Sequence, residues 1–456
     1  VAANFQLNNA QMQPKNVNRI VFALALPAII EMLLQLTVGI ADTAMVGRLG
    51  AEALAAVGLG NQLLLLLSTI LGAIGTGSTA LVARHVGAGE YESAGSVAKQ
   101  AVILAVLIAL VSGTIILAFG EQILGFLFRK TDPGVVALAA NYVAIVGLAL
   151  AFNYSLILIN SVLRGAGDTK TPMRITAIVN LINIVGNFFL IYGIGPFPAL
   201  GVQGAAAATA LAHGCGGVLA FISLLKNPKI QASFKQPLQI DSQIVKRILN
   251  IGVPAAIEQG SMRIGQLFYT MIIASLGTVA YAAHQVALNA ESISFNPGFG
   301  FALAATTLVG QFLGADKPEL AERFGYRSCK MAVIFMSIMG VVFFFFAEPI
   351  VGLFTPEPEV IDLAAVCLRI VALSQPALAA QMVFAGGLRG AGDTRGILWI
   401  TLSGFLVIRV GLTIVLTLML NLGLIGAWIA MCIDVYYRSL LMWTRFRRGK
   451  WKTLKI

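Results

Sequence analysis

A carboxylate at position 42 is the group in this sequence best placed to do chemistry. Asp42 stands near the end of the apolar stretch Ile20–Val46, in which Glu31 is the only other formal charge. That stretch exceeds the roughly 20 apolar residues needed to cross a bilayer. An acid kept there faces a bundle interior or a water-filled path, where it can exchange a proton or hold a cation. Glu31 and Asp42 are eleven positions apart, which places them within about 20° of one another on a helix and about 16 Å apart along its axis. Pro27, one turn before Glu31, removes a backbone donor and lets the helix bend. A bendable helix with a titratable acid is suited to transport. The alternative is that Asp42 is simply solvated at the helix end.

Other polar side chains lie in apolar runs. Asn183 and Asn187 are i and i+4 and share a helix face, and Thr209 lies at middle depth in the sixth apolar stretch. Beside Asp42 they could share a proton or coordinate a small cation; between helices they could equally form structural hydrogen bonds. In the second half Glu258, Arg409 and Asp434 are the intramembrane charges. An arginine in a bilayer pairs with an acid, so Arg409 is expected to pair with Asp434 or Glu258, with ion coupling as the other use of the set. His213 and His284 read as structural, and Cys215, Cys329, Cys367 and Cys432 have no metal-ligand or CxxC spacing.

The string GAGD occurs at Gly165–Asp168 and Gly390–Asp393. It raises an intramembrane aspartyl protease, but each copy follows an arginine in a basic loop and precedes a helix, the setting of helix ends and caps. There is no GxxxxGK[ST] and no HExxH, so neither ATP-driven transport nor metal hydrolysis has support, and no metal site is expected.

Composition sets the frame for these residues. The chain has 456 residues, 58% hydrophobic and 11% charged, less than half the charged share of an ordinary soluble domain. Its net charge is +11, and 24 of the 31 Lys and Arg fall in the two terminal segments and alternate loops, while the intervening loops hold only Arg48, Arg129 and Lys130. By the positive-inside rule both termini and the basic loops are expected in the cytoplasm, and nucleic-acid binding is set aside. The first apolar run is too long for a cleaved signal and is read as a span.

Twelve helices are expected, near 20–46, 54–83, 94–118, 135–162, 172–192, 201–225, 245–274, 279–313, 322–346, 360–388, 397–420 and 423–444. The expected organisation is a polar arm 1–18, an N-lobe 19–225 with helices 1–6, a cytoplasmic linker 226–244, a C-lobe 245–445 with helices 7–12, and a basic cytoplasmic tail 446–456. The halves repeat. LRGAGDT spans Leu163–Thr169 and Leu388–Thr394, an offset of 225, and an offset of 227 pairs Pro27 with Pro254, Glu31 with Glu258 and Gly50 with Gly277. Six spans per half is an even number, so the repeats run parallel, with the substrate path expected at their interface. The same offset sets Asp42 opposite Tyr269, and an offset of 222 sets Asn187 opposite Arg409. The fold class expected is therefore an all-α polytopic membrane protein, with twelve transmembrane helices in two parallel-repeat six-helix bundles.

With these features, and AAHQVAL at Ala282–Leu288, the chain resembles the multidrug and toxic compound extrusion (MATE) family, most nearly its DinF-like branch, over all but the N-terminal arm. The resemblance implies a monomeric antiporter of the plasma or bacterial inner membrane, not an enzyme, that exports lipophilic, often cationic compounds through a V-shaped pair of lobes. It implies a coupling ion, H⁺ preferred and Na⁺ possible, and no other cofactor. It puts the coupling acid at Asp42, with Asn183 and Thr209 in the same cluster and Tyr142 and Asn160 bordering it. Asn187 stands where some DinF-like members carry a second acid, and Glu258 matches a C-lobe acid of the NorM-like branch. The other readings are sodium coupling, a lipid-linked glycan flippase and, last, an intramembrane hydrolase.

Overall fold

The computed structural model describes residues 14–234, 239–454 and 456. The first thirteen residues of the polar arm and residues 235–238 of the linker therefore lie outside the described residues, as does position 455 of the tail. The described chain is helical almost throughout. Its first half runs α1 (Pro14–Gly47), α2 (Ala51–Ala88), α3 (Tyr91–Leu127), α4 (Pro133–Gly147), α5 (Leu150–Gly165), α6 (Lys170–Tyr192) and α7 (Val202–Lys226). The second half runs α8 (Ser242–Ala274), α9 (Thr278–Gly314), α10 (Pro318–Phe345), α11 (Ala347–Gly352), α12 (Pro358–Gly390), α13 (Thr394–Leu402), α14 (Gly411–Thr413) and α15 (Gly423–Arg447). All-helical structure is what apolar segments of this length require, because only intrahelical hydrogen bonds satisfy the backbone without water.

Ten of the described helices are long and apolar enough to cross a membrane, and α4 with α5 makes an eleventh if the pair is one span. The remaining long helix is α8, whose 33 residues suffice to span but carry Lys246, Arg247, Glu258 and Arg263. Counted this way, the described chain has twelve long rods.

Two of them differ from a plain helix. The rod expected near 135–162 is bent by 62° between α4 and α5. The bend falls at Gly147, where α3 comes close: a Cβ on Gly113 would lie 3.7 Å from the Gly147 carbonyl oxygen. The rod Thr394–Met419 widens into π-helical turns over Ser403–Val410 and Ile414–Met419, and the first of these carries the buried Arg409.

The internal repeat is present in the backbone. Gly50 and Gly277, the residues before α2 and α9, take φ 111° ψ 172° and φ 108° ψ 172°, a region open to glycine alone. In the twin LRGAGDT loops Gly167 and Gly392 have φ 83° and 85°. Asp168 donates its N–H to the Leu163 carbonyl at 2.9 Å, and Asp393 donates to that of Leu388 at 2.8 Å.

By contact the chain divides into two units. One is Ile30–Asn250 and the other joins the chain up to Ile29 with Ile251–Ile456. The division passes through α1 three residues after Pro27 and through α8 four residues before Pro254, leaving both helices continuous. Each helix thus begins in one unit and ends in the other, with a proline beside the crossing.

Candidate functional site

Within the Ile30–Asn250 unit, α6 lies along α1 and is tied to it by three side chains. Asn180 donates to the Leu34 carbonyl at 2.6 Å, Asn187 to Asp42 Oδ1 at 2.6 Å, and the Tyr192 hydroxyl to the Met45 carbonyl at 2.9 Å. Asn180, Asn183 and Asn187 follow an i, i+3, i+7 pattern that gives α6 one amide face, and all three are buried. A chain of donors extends from the acid: Asn187 also donates to Asn183 Oδ1 at 3.2 Å, Asn183 to Thr209 Oγ1 at 3.1 Å, and Thr209 to the Ala205 carbonyl at 2.9 Å.

Small residues bring these groups within reach. A Cβ on Gly204 of α7 would stand 2.3 Å from the Leu190 carbonyl oxygen, and one on Gly186 of α6 would stand 3.0 Å from the Ala208 Cβ. Backbones that approach so closely carry Thr209 to Asn183. On the other side a Cβ on Gly60 would meet the Tyr142 ring at 2.7 Å. There the Tyr142 hydroxyl donates to Asn61 Oδ1 at 3.1 Å and also neighbours Thr209. Asp42 is partly exposed and Asn61 exposed, while the amides between them are buried. The arrangement offers one carboxylate, with amide and hydroxyl groups behind it, at the accessible edge of a buried polar network.

Five of the six residues expected around the acid, Asp42, Asn183, Asn187, Thr209 and Tyr142, lie in this cluster. Asn160 does not join it by a hydrogen bond: it is buried on α5 with its Oδ1 unpartnered, one turn before Arg164. Glu31, on the same side of α1 as Asp42, takes a different partner. Its carboxylate accepts from Arg164 Nη1 at 3.0 Å, and Arg164 also reaches Ser161 at 3.1 Å. The other unit repeats the pair: Glu258 accepts from Arg389 Nη2 at 2.7 Å and from Thr401 at 3.2 Å. Each arginine belongs to an LRGAGDT loop.

Arg409 therefore pairs with Asp434 and leaves Glu258 to Arg389. Its Nε donates to Asp434 Oδ2 at 2.8 Å, and Arg438 holds both oxygens of the same carboxylate at 2.7 and 2.6 Å. Glu291 of α9 lies within electrostatic range of Arg409. His284 sits between the rings of Tyr269 and Trp428, at centroid distances of 5.6 and 5.7 Å.

The two loop acids have separate structural roles. Asp168 caps α6 by accepting from the Thr171 N–H at 3.0 Å and the Thr171 hydroxyl at 2.7 Å. Lys229 lies near it in the linker, where burial holds the ammonium below its ordinary pKa while Asp168 opposes that shift. Asp393 instead receives a bidentate contact from Arg445 at 2.6 and 2.8 Å.

Sequence reasoning missed Asn61, Asn180, Arg438 and Glu291, and treated Arg164 and Arg389 only as loop charges. The spacing of Asn180 from Asn183 and Asn187 was a usable signal for the first turn of the amide face. That Glu291 follows His284 by seven residues, two turns along one helix face, was another.

The chain matches the MatE family over residues 27–189 and again over 254–415; the two matches begin 227 residues apart, the offset that pairs Pro27 with Pro254. It is 34% identical over 433 residues, 94% of this chain and 92% of the relative, to a probable multidrug resistance protein NorM of Thermotoga maritima. It is 28% identical over 439 residues, 94% and 95% of the two chains, to the multidrug resistance protein MdtK of Yersinia pseudotuberculosis. Among solved structures it is similar in fold to a MATE in complex with MaD3S, with a TM-score of 0.88 at 24% identity over 96% of this chain and 97% of that one.

Proposed function

The chain belongs to the MatE family, and from that premise we propose that it is an antiporter extruding lipophilic, often cationic small molecules and taking in protons at Asp42. The NorM and MdtK relatives are described as multidrug resistance proteins, which supports the class of cargo. The observation that carries the coupling assignment is the company Asp42 keeps. Glu31, Glu258 and Asp434 are each held by arginine, whereas Asp42 is held by the Asn187 amide at 2.6 Å and is partly exposed. A carboxylate without a fixed counter-charge is free to change its own charge.

In the cycle proposed, ionised Asp42 attracts a cationic compound and protonation from the outer side releases it. The ligand and the proton then compete for one group, and each shifts the population of the conformation that the other disfavours. Pro27, beside the point where α1 passes between units, is the place where this helix rearranges. The arginine already bound to Glu258 favours Asp42 over a second cation site there. The asymmetry of basic residues supports a cytoplasmic position for both termini.

Dye efflux from everted vesicles under separately imposed proton and sodium gradients tests the proposal. Export driven by the proton gradient, and abolished by Asp42→Asn at equal protein levels, is the expected result. Export driven by sodium alone, or untouched by the substitution, refutes it.

A further inference from the structure

A second feature, in the other unit and apart from the Asp42 cluster, is a cavity of about 350 Å³ lined by Val17, Arg323, Tyr326, Arg327 and Lys330. Three of its five lining residues are cationic, and they come from two successive turns of α10. Arg323 and Lys330 are exposed, and Arg327, partly buried, donates to Asn18 of α1. Glu322, an acid on the same turns, is paired with Lys452 at 2.5 Å, and Arg447 lies within electrostatic range of Tyr326. The Tyr326 ring is fixed edge-on against Phe384 and Phe446, at 5.6 and 5.4 Å. The wall is therefore positively charged, rigid on its aromatic side and suited to an anion.

What continues from the cavity narrows the ligand. Positions 323, 327, 330, 334, 338, 341 and 345 are spaced by four, three, four, four, three and four residues and so form one stripe along α10. Beyond Lys330 the stripe is Ile334, Ile338, Val341 and Phe345, each more than half exposed. From Ile334 to Phe345 it runs about 16 Å, close to half of a bilayer's hydrocarbon thickness. A cationic head joined to an apolar track of leaflet depth matches an amphiphile with an anionic head. We propose that this cavity binds the phosphate of an anionic phospholipid, whose acyl chains lie along the α10 stripe.

The test uses the full chain, extracted from phosphatidylcholine vesicles containing phosphatidylglycerol, with retained lipid counted by native mass spectrometry. Selective retention of phosphatidylglycerol is expected, with a loss of about fivefold in affinity for each charge removed, hence about twenty-fivefold for Arg323→Gln with Lys330→Gln. Ile334→Ala with Ile338→Ala should weaken phosphatidylglycerol binding and leave inorganic phosphate as a competitor unaltered. If the double charge variant does not fold, Lys330→Gln set against Lys330→Arg keeps the comparison, with loss expected only in the first. Equal retention of the two lipids, or unchanged retention in the charge variants, overturns the proposal. So does an alanine pair that leaves the lipid bound while inorganic phosphate displaces it, since the site would then be one for free phosphate. Because the readout is lipid binding rather than efflux, its failure is distinct from failure of the transport reading.

Discussion

Asn187 donates its amide to Asp42 at 2.6 Å, and the two positions that the internal repeat sets opposite them also meet. Arg409 lies with its guanidinium carbon 5.8 Å from the Tyr269 ring centroid. The repeat has kept the contact between these helices and changed its chemistry. An acid with an amide leaves a group able to gain and lose a proton. An arginine over a ring, with its charge already satisfied by Asp434 at 2.8 Å, leaves a fixed one. The asymmetry separates a half suited to exchange from a half suited to holding its shape, and it yields distinct expectations for each.

The amide behind the acid should matter to transport nearly as much as the acid. Asn187→Leu removes the donor to Asp42 and the donor to Asn183 together. A hydrogen bond to a charged group is worth about 1.5–3 kcal/mol, so its loss disfavours the ionised carboxylate against the neutral one by that amount, and cation binding at a given pH should weaken. Equilibrium binding of a cationic dye to purified protein across a pH series checks this. Wild type should bind more weakly as the pH falls, while Asp42→Asn should bind weakly at every pH.

The duplicated Glu–Arg pairs, Glu31 with Arg164 and Glu258 with Arg389, fasten α1 and α8 just beyond Pro27 and Pro254. Each glutamate is buried and each arginine mostly so. Removing one member of a buried pair costs about 3–5 kcal/mol, and less where one partner reaches solvent, whereas replacing both with apolar groups recovers much of the loss. Glu258→Leu alone should lower the melting temperature in detergent, and Glu258→Leu with Arg389→Met should restore most of it. A double variant no more stable than the single one would mean that the pair is not the unit of stability.

Glycine substitutions separate packing from composition. At Gly204 a methyl would stand 2.3 Å from the Leu190 carbonyl oxygen, whereas at Gly39 nothing lies within 4 Å. Gly204→Ala should destabilise by about 1–3 kcal/mol and move Thr209 away from Asn183, lowering efflux. Gly39→Ala should be neutral or stabilising by up to about 1 kcal/mol. Melting curves with dye efflux on the same preparations distinguish the two.

Much of this architecture is legible in the sequence because a bilayer forces long apolar runs to be helices and allows few charges within them. Glu31, Asp42, Asn183, Asn187 and Thr209 could be found by type and spacing, and so could Asp434 as one of two partners for Arg409. What could not be found depends on contacts across distant parts of the chain. Arg164 is 133 residues from Glu31 and reads as an ordinary loop cation until the fold brings them together. The 62° break after Gly147 leaves no gap in hydropathy, since apolar residues run on through it. Asn160 has the right type, but it is buried on α5 with its Oδ1 unpartnered, and the acid takes its hydrogen bond from Asn187 of α6 instead.

Asp42 and Asp434 should give opposite results under the same isosteric change. Asp434 is fully buried, and its carboxylate is the shared counter-charge of Arg409 and Arg438. Asp434→Asn leaves two guanidiniums facing one neutral amide, and an uncompensated buried charge costs about 3–5 kcal/mol, enough to unfold a marginally stable protein. Asp42→Asn removes a charge that no arginine answers, and asparagine retains an oxygen to accept from Asn187. Thermal unfolding of the two variants in the same detergent should therefore show a large loss for Asp434→Asn and little change for Asp42→Asn. Proton-driven efflux, measured beside it, should be lost in both, in the first for want of folded protein and in the second with folded protein present. A stable Asp434→Asn protein that still transports would show that the two arginines find their counter-charge elsewhere, with Glu291 the first group to test.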